Sequence, residues 1–409
     1  MQENIVKRDI FDEIVKYVDS NNIIVLHGAR QVGKSHILFY LKNYLKDQSK
    51  QTFFFDLEDT RLVEVLNNGA DAMLLFLKNE GFDLEKIKNN KEKLFVFIDE
   101  IQYLENPSPL MKLLADHHKY IQLIVSGSSS FNIKSKFSDT LVGRTVDFEI
   151  FNLSFSEFLR FKNINYNIKE KLDQYHLEKI MDLYKEYVFF GCYPKIVMEN
   201  SIEKKEKYLN QIIDTYIKKD IRDLAKIKDI KKFNNMLKVL ATQSGQLLNV
   251  SKLAEICGIA KQTAENYLFI LENTYIIKLV APFSSSAKVE VVKAPKIFFY
   301  DTGISQMLWL KKFPQNFVGN IFETSIFSEL VKKYGKDAVG YWRNRNQNEI
   351  DFILQTEKNP LPIEVKMNFR NFRMASMDYF LKRYRISDYK VVSLEGEKKN
   401  ESCFYPWEI

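Results

Sequence analysis

Cysteine is scarce in this chain: Cys192, Cys257 and Cys403 stand far apart among 409 residues, with no Cys-x-x-Cys pair and no neighbouring histidine. That usage argues against a structural zinc site and for a reducing, cytoplasmic setting. Long apolar runs are missing too. No stretch approaches the ~18 consecutive apolar residues needed to span a bilayer. The N-terminal MQENIVKRDIFDEIV is charged and lacks the apolar core of a signal segment. A membrane is therefore not an expected partner. Charge of one sign is not strongly in excess either: a net charge of +7 permits nucleic-acid binding without establishing it.

What is present is a folded composition, 45% hydrophobic and 28% charged, in a chain too long for one core. The expected class is α/β, with domain boundaries at 1–155, 156–230, 231–295 and 296–409. The most informative stretch follows a short apolar run, Ile23–Leu26, which breaks at His27-Gly28 and resumes as a helix with Ile37, Leu38, Leu41 and Leu45. Between them Gly28-Ala29-Arg30-Gln31-Val32-Gly33-Lys34-Ser35 fits G-x-x-x-x-G-K-[ST]. Glycines let backbone N–H groups curl around a phosphate chain where a Cβ would obstruct. The Lys34 ammonium would reach the β- and γ-phosphates, the Ser35 hydroxyl would ligate Mg²⁺, and the helix start would aim its positive end at the anion. Residues Gly28 to Ser35, with His36, form the expected ATP-binding segment.

A second buried strand, Thr52–Leu57, is followed by a helical span and then by Leu94-Phe95-Val96-Phe97-Ile98-Asp99-Glu100. An apolar strand ending in two carboxylates has the Walker B form. Asp99 would hold the Mg²⁺ shell and Glu100 would polarise the attacking water as general base. The extra strand predicts a parallel sheet, with helices on both faces, in which Ile121–Val125 lies between the P-loop strand and the Asp99 strand. The serine-rich end of that strand offers a γ-phosphate sensor, Ser126 first and Ser128 second. Arg144, just before the strand Val146–Ile150, would stabilise transition-state charge in cis or across a subunit contact, or else make a salt bridge at a helix end.

These residues carry a resemblance. GARQVGKS, FIDEIQYLEN, VSGSSS and LVGRTVDFEIFNLSFSEFL, with the later GCYP and YIKKDI, resemble bacterial and archaeal AAA-type P-loop ATPases that carry a C-terminal region of uncharacterised function. The resemblance runs the length of the chain.

Residues 156–230 read as helical and charged, with Phe190-Gly191-Cys192-Tyr193-Pro194 as a hinge between helices, and Lys218, Lys219 and Arg222 on a helix as a solvated face or a nucleotide- or nucleic-acid-facing set. Residues 231–295 then give helix, helix, glycine turn at Gly258, helix and the start of a β-hairpin, the order of a winged helix-turn-helix. Its third helix would bury Ile259, Ala264, Leu268 and Leu271 and present Lys261, Gln262, Thr263 and Asn266 to nucleic acid or to a protein. In 296–409 the helix Asn320–Tyr334 carries Glu323, and three strands follow that carry Asp351, then Glu364-x-Lys366. Two carboxylates and a lysine on paired strands could bind Mg²⁺ and steady a scissile phosphate. The pattern resembles the PD-(D/E)xK restriction-endonuclease-like superfamily, departing from it in having Ile350 rather than proline before Asp351. That resemblance implies a second metal site of Glu323, Asp351 and Glu364 with Lys366 as catalytic lysine, or a fold kept as a binding platform. Arg370, Arg373, Lys382, Arg383 and Arg385, interleaved with Phe369, Phe372, Tyr379 and Tyr384, suit a phosphate backbone or else belong to an ordinary amphipathic helix. The whole reads as an ATP- and Mg²⁺-dependent ATPase coupled to a nucleic-acid-binding, nuclease-like half. The alternative is a non-cleaving nucleotide switch that binds a protein partner or a second copy of itself.

Overall fold

A computed structural model describes residues 6–127, 141–168, 170, 172–220, 227, 229–283, 294–313, 319–344, 346, 348–356 and 359–409. The chain divides into two compact units, Met1–Phe151 and Asn152–Ile409. Among the described residues no helix is long and apolar enough to cross a membrane.

In the first unit, five parallel strands, β1 (Ile23–Gly28), β2 (Gln51–Asp56), β3 (Leu94–Asp99), β4 (Ile121–Gly127) and β5 (Thr145–Ile150), take the order β2-β3-β4-β1-β5. β4 thus separates the P-loop strand from the Asp99 strand, as the extra strand predicts. β1, β3 and β4 are buried throughout, which is why they read as unbroken apolar runs. Alternate side chains serve opposite faces. Ile23, Val25, Val96, Ile98, Leu123 and Val125 pack with α3 (Thr60–Asn67), α4 (Ala70–Asn79), α5 (Leu84–Asn89) and α6 (Pro107–His117). On the other face α2 (Lys34–Asp47) buries Ile37, Leu38, Leu41 and Leu45, and its Phe39 stacks on Phe54, which stacks on Phe97. Each fully buried Leu or Ile in these layers contributes about 1.5–3 kcal/mol.

α1 spans Phe11–Val15, and it buries Phe11 edge-on against Tyr40 and Tyr44 of α2.

The second unit opens with α7 (Phe155–Phe161), started by a Ser154/Glu157 capping box, and α8 (Gln174–Phe190). The turn after α8 is fixed by fold rather than left as a free hinge. Gly191 has φ 82°, and a Cβ there would run into the Asp301 carboxylate. Asp301 in turn accepts from Cys192 N (2.8 Å), Asn152 Nδ2 (2.6 Å) and Ile304 N (2.9 Å). After α9 (Pro194–Met198) and α10 (Ile202–Ile212) comes a π-helical stretch, Ile213–Asp220. The side chains of Lys218 and Lys219, and all of Arg222, lie outside the described residues.

Three helices follow, α11 (Ile230–Thr242), α12 (Val250–Cys257) and α13 (Lys261–Asn273), then β6 (Ile277–Val280) antiparallel to β7 (Lys296–Phe299). β7 therefore completes the hairpin that β6 begins. Beyond α14 (Thr302–Leu310) and α15 (Gly319–Tyr334), five strands take the order β12-β11-β10-β9-β8: β8 (Val339–Arg343), β9 (Glu349–Leu354), β10 (Leu361–Asn368), β11 (Lys390–Glu395) and β12 (Cys403–Phe404). β8, β9 and β10 are antiparallel neighbours, while β10, β11 and β12 run parallel. Phe352 of β9 packs against Phe327 of α15, and its neighbour Ile353 clusters with Phe380 of α16 (Ala375–Tyr384).

Candidate nucleotide site and a second acidic cluster

The C-terminal ends of β1, β3 and β4 meet at one edge of the first sheet. Leu26 pairs with Ser126, His27 with Gly127, and Ile98 with Val125. The edge therefore carries the P-loop, Asp99, Glu100 and Ser126 together. Gly28 is required there by packing: it lies opposite Ile150 of β5, and a Cβ would collide with the Ile150 carbonyl. Gly33, at φ 97°, is the N-cap of α2 and supplies the left-handed turn that starts the helix. Lys34 is buried, and its Nζ donates to the carbonyls of Ala29 (2.8 Å) and Gly28 (3.2 Å). Burial brings its ammonium down to about 8, against the opposing pull of Glu100 and Asp99. Ser35 and Arg30 are half-buried, Val32 is buried, and Gln31 and His36 are exposed.

Asp99 is buried and accepts the Ser126 hydroxyl in a short hydrogen bond. The Glu100 N–H lies 3.1 Å from Asp99 Oδ1 and 3.2 Å from Ser126 Oγ. Glu100 sits in the left-handed region at φ 57°, uncommon for a side-chain-bearing residue, and Gln102 Nε2 donates to its carboxylate. Ser35 and Asp99 supply hard oxygens of the kind Mg²⁺ takes when phosphates complete its shell.

Arg144 takes the salt-bridge alternative, at the end of α6, rather than the cis role at the phosphates. It precedes the first residue of β5, its carbonyl accepts from Ile23 N at the start of β1, and its guanidinium clasps Asp116 at 2.7 and 3.1 Å. β5 is six residues long, so Arg144 lies roughly 17–20 Å along the strand from the P-loop edge. The salt bridge is the observed role, and a cis contact with the phosphates is not. Ser128, the second sensor candidate, lies outside the described residues.

In the second unit, Glu323 (α15), Asp351 (β9) and Glu364 and Lys366 (β10) do converge. Lys366 Nζ reaches Glu364 at 2.6 Å and Asp351 at 3.4 Å, and Asp351 also accepts from Val365 N at 2.8 Å. Burial and the Asp351 charge push the Glu364 carboxyl upward, and they do the same to Glu323. Lys296 of β7 completes the cluster, 3.3 Å from Glu323 and 2.7 Å from Glu349, with its ammonium raised by those carboxylates against the cost of burial. Among the described residues, no three His, Cys, Asp or Glu side chains form a group that could hold a metal ion.

Sequence reasoning missed Lys296, Gln102 and Arg8. Arg8 is buried, and its guanidinium donates to the carbonyls of Val32 (2.8 Å) and Phe151 (2.9 Å). On α13, Lys261 pairs with Glu265 (3.6 Å) and Gln262 with Asn266 (3.3 Å), while Phe269 stands exposed between turns.

Residues 20–159 match the family model of an AAA domain. With its five-stranded parallel sheet and the loop at its edge, the first unit is an AAA-type P-loop ATPase domain. Residues 181–315 and 318–405 match two domains of unknown function, DUF8612 and DUF4143. The chain is similar to an uncharacterized protein of Haemophilus influenzae, 27% identical over 88% of this chain and 86% of that one. It is also similar to an uncharacterized protein of Methanocaldococcus jannaschii, 26% identical over 87% and 76%. Among solved structures, AMPPCP-bound DnaA from Aquifex aeolicus covers 64% of this chain and 86% of its own at 18% identity, with a TM-score of 0.27. That likeness is too slight to carry an argument.

Proposed function

We propose that the first unit binds ATP with Mg²⁺ and hydrolyses it, and that its nucleotide state governs a nucleic-acid-engaging second unit. One observation carries the nucleotide half: the P-loop lysine, two carboxylates and a buried serine share one edge of the sheet. In this reading Lys34 Nζ leaves the carbonyls of Gly28 and Ala29 for the β- and γ-phosphate oxygens. The loop N–H groups and the α2 N-terminus take the remaining phosphate charge. Ser35 and Asp99 would hold Mg²⁺, which supplies charge neutralisation as the γ-phosphoryl transfers. Glu100, released by Gln102, polarises the attacking water, and Ser126 keeps Asp99 oriented.

The second half of the proposal draws support from the three helices and hairpin at 230–299 and from the order α15-β8-β9-β10-α16-β11 that carries Glu323, Asp351, Glu364 and Lys366. The exposed cations Arg370, Arg373, Lys382, Arg383 and Arg385 add to it. A non-cleaving reading has its own support. Lys366 and Lys296 already neutralise the carboxylates, and among the described residues no metal-holding group of three is formed. In that reading the unit binds a protein partner or nucleic acid and cuts neither.

The test uses the purified full chain. ATP–Mg²⁺ uptake by calorimetry and phosphate release should both be lost in Lys34→Ala, and their absence in the wild type would refute the nucleotide half. Mg²⁺-dependent cleavage of DNA or RNA that disappears in Lys366→Ala but survives in Lys34→Ala would identify a nuclease. Binding without cleavage across single- and double-stranded substrates would establish the switch.

A further inference from the structure

The P-loop has a brace that its motif does not contain. A phosphate cradle works only if the loop turns its N–H groups inward, which obliges its carbonyls to face the protein, where each needs a donor. Two of these carbonyls, of Gly28 and Ala29, take Lys34 Nζ. That donor is the one a triphosphate would withdraw. The carbonyl of Val32 is different. It lies in a buried part of the loop and accepts from Arg8 Nη1 at 2.8 Å, while Nη2 of the same guanidinium donates to the Phe151 carbonyl just past β5 at 2.9 Å.

Arg8 is itself held in place through the turn that follows it. Its carbonyl accepts from Phe11 N, and Phe11 is wedged edge-on between Tyr40 and Tyr44 of α2. The planar fork therefore ties three separate pieces of backbone together: the N-terminal segment, the loop and the end of β5. A lysine in its place has one nitrogen and cannot reproduce the two-pronged geometry.

We infer that Arg8 is a positioning residue for nucleotide binding. The peptide after Val32 is the one most free to rotate, because Gly33 populates both signs of φ at little cost. A rotation of that peptide would turn the Gly33 N–H out of the cradle and the Val32 carbonyl into it, where it would repel phosphate. The Arg8 bond to Val32 O selects the N–H-inward state. Removing it leaves a buried acceptor unsatisfied and lets the rotated loop compete. The apparent affinity for ATP then falls by the fraction of loops in the binding-competent state. Once ATP is bound the loop is held by the phosphates, and the chemical step, which uses Lys34, Glu100 and Asp99, proceeds at its ordinary rate.

The inference rests on the nucleotide reading above, and the experiment separates the two. ATP–Mg²⁺ binding is measured by calorimetry, and turnover by phosphate release, on full-length wild type, Arg8→Met and Arg8→Lys. Arg8→Met keeps the apolar stem and is expected to weaken ATP binding by about tenfold or more, the loss typical of one charge-assisted hydrogen bond. Its turnover at saturating ATP stays within about twofold of wild type. Arg8→Lys is expected to fall between the two and, having kept the charge, also decides the matter if Arg8→Met does not fold. A merely structural role would lower the fraction of active protein and the melting temperature while leaving the dissociation constant of the folded fraction unchanged. That result, or wild-type affinity in both variants, overturns the inference while leaving the nucleotide reading intact. A wild-type chain that takes up no ATP overturns the nucleotide reading, and this inference with it.

Discussion

Both units bring lysine and carboxylate together on a sheet, and they dispose of the charges in opposite ways. At the edge of the first sheet, Lys34 donates to two neutral carbonyls, while Asp99 is occupied by Ser126 and Glu100 by Gln102. In the second unit the ammonium groups lie directly on carboxylates, Lys366 between Asp351 and Glu364, and Lys296 between Glu323 and Glu349. A cation leaning on carbonyls gives up little when a phosphate arrives. One enclosed between carboxylates gives up two charge-assisted bonds and leaves uncompensated charge behind. The first arrangement is ready for an anion from outside, and the second is closed upon itself.

The comparison breaks most visibly if the first site does not need its charges. Lys34→Met is expected to lower kcat/KM for ATP by about a thousandfold, since it removes both phosphate binding and transition-state stabilisation. Glu100→Gln should bind ATP nearly as wild type does and turn it over at least about a hundredfold more slowly. Phosphate release beside calorimetry reads both effects. Turnover in either variant equal to wild type would remove the first half of the contrast.

Stability provides the next test. Lys296→Met leaves Glu323 without its cation and Glu349 with Arg343 alone, 3.6 Å away. The expected cost in urea unfolding is about 2 kcal/mol, below the range for fully buried pairs, because the Glu349 side chain keeps 32% of its surface exposed and retains Arg343. Lys34→Met has the opposite sign. It removes an ammonium that burial disfavours, so the first unit should unfold at the same or a higher urea concentration. If both variants destabilise alike, the two lysines are equivalent structural ion pairs and the distinction fails.

Much of the first unit could be read in the sequence because its logic is local. Strands buried on both faces appear as unbroken apolar runs, and the functional side chains follow directly at their ends, as in Ile98-Asp99-Glu100 and Val125-Ser126. Of the two roles open to Arg144, the sequence does not choose the salt bridge over the cis one, because nearness in sequence to a strand does not say which end of the strand is meant. It comes before β5, and in a parallel sheet that end is remote from the P-loop. Arg8 left no pattern for its brace: the two carbonyls it reaches lie 24 and 143 residues away, and any residue type supplies a carbonyl. Lys296 sits in a short strand whose partner β6 lies across residues 281–295, so its place beside Glu323 is a tertiary fact. Gly191 was legible as a turn. The reason no other residue fits, the Asp301 carboxylate against its Cα, was not.

The two units should also respond oppositely to pH. Burial and Asp351 raise the carboxyls of Glu323 and Glu364. Between the ordinary carboxylate range and the raised values, the folded second unit holds protons that the unfolded chain has released, so its stability falls as pH rises through that window. Glu364→Gln should flatten the slope, seen in urea midpoints taken from about pH 5 to about pH 8. For Lys34, whose folded value is lowered to about 8, the unfolded chain binds the extra proton above that pH, and the first unit gains stability as pH rises toward the ordinary lysine value. Parallel slopes in the two units would contradict the charge assignment.

The smallest effect is the most specific to the nucleotide. With Lys34 titrating near 8, a good share of nucleotide-free molecules carry a neutral amine at pH of about 8.5. A triphosphate beside that amine favours its charged form, so ATP binding at this pH should draw a fraction of a proton from the buffer. Calorimetry in buffers of different ionisation enthalpy reads the uptake as a slope. At pH of about 6.5 the amine is already protonated, and the contribution of Lys34 vanishes. Lys34→Arg separates this from protons exchanged by ATP itself, because its guanidinium keeps the charge and does not titrate in that range. The difference in slope between wild type and Lys34→Arg should be present at the higher pH and absent at the lower. A difference of zero at both would mean that Lys34 stays on the Gly28 and Ala29 carbonyls when ATP binds, and the first site would then be as closed upon itself as the second.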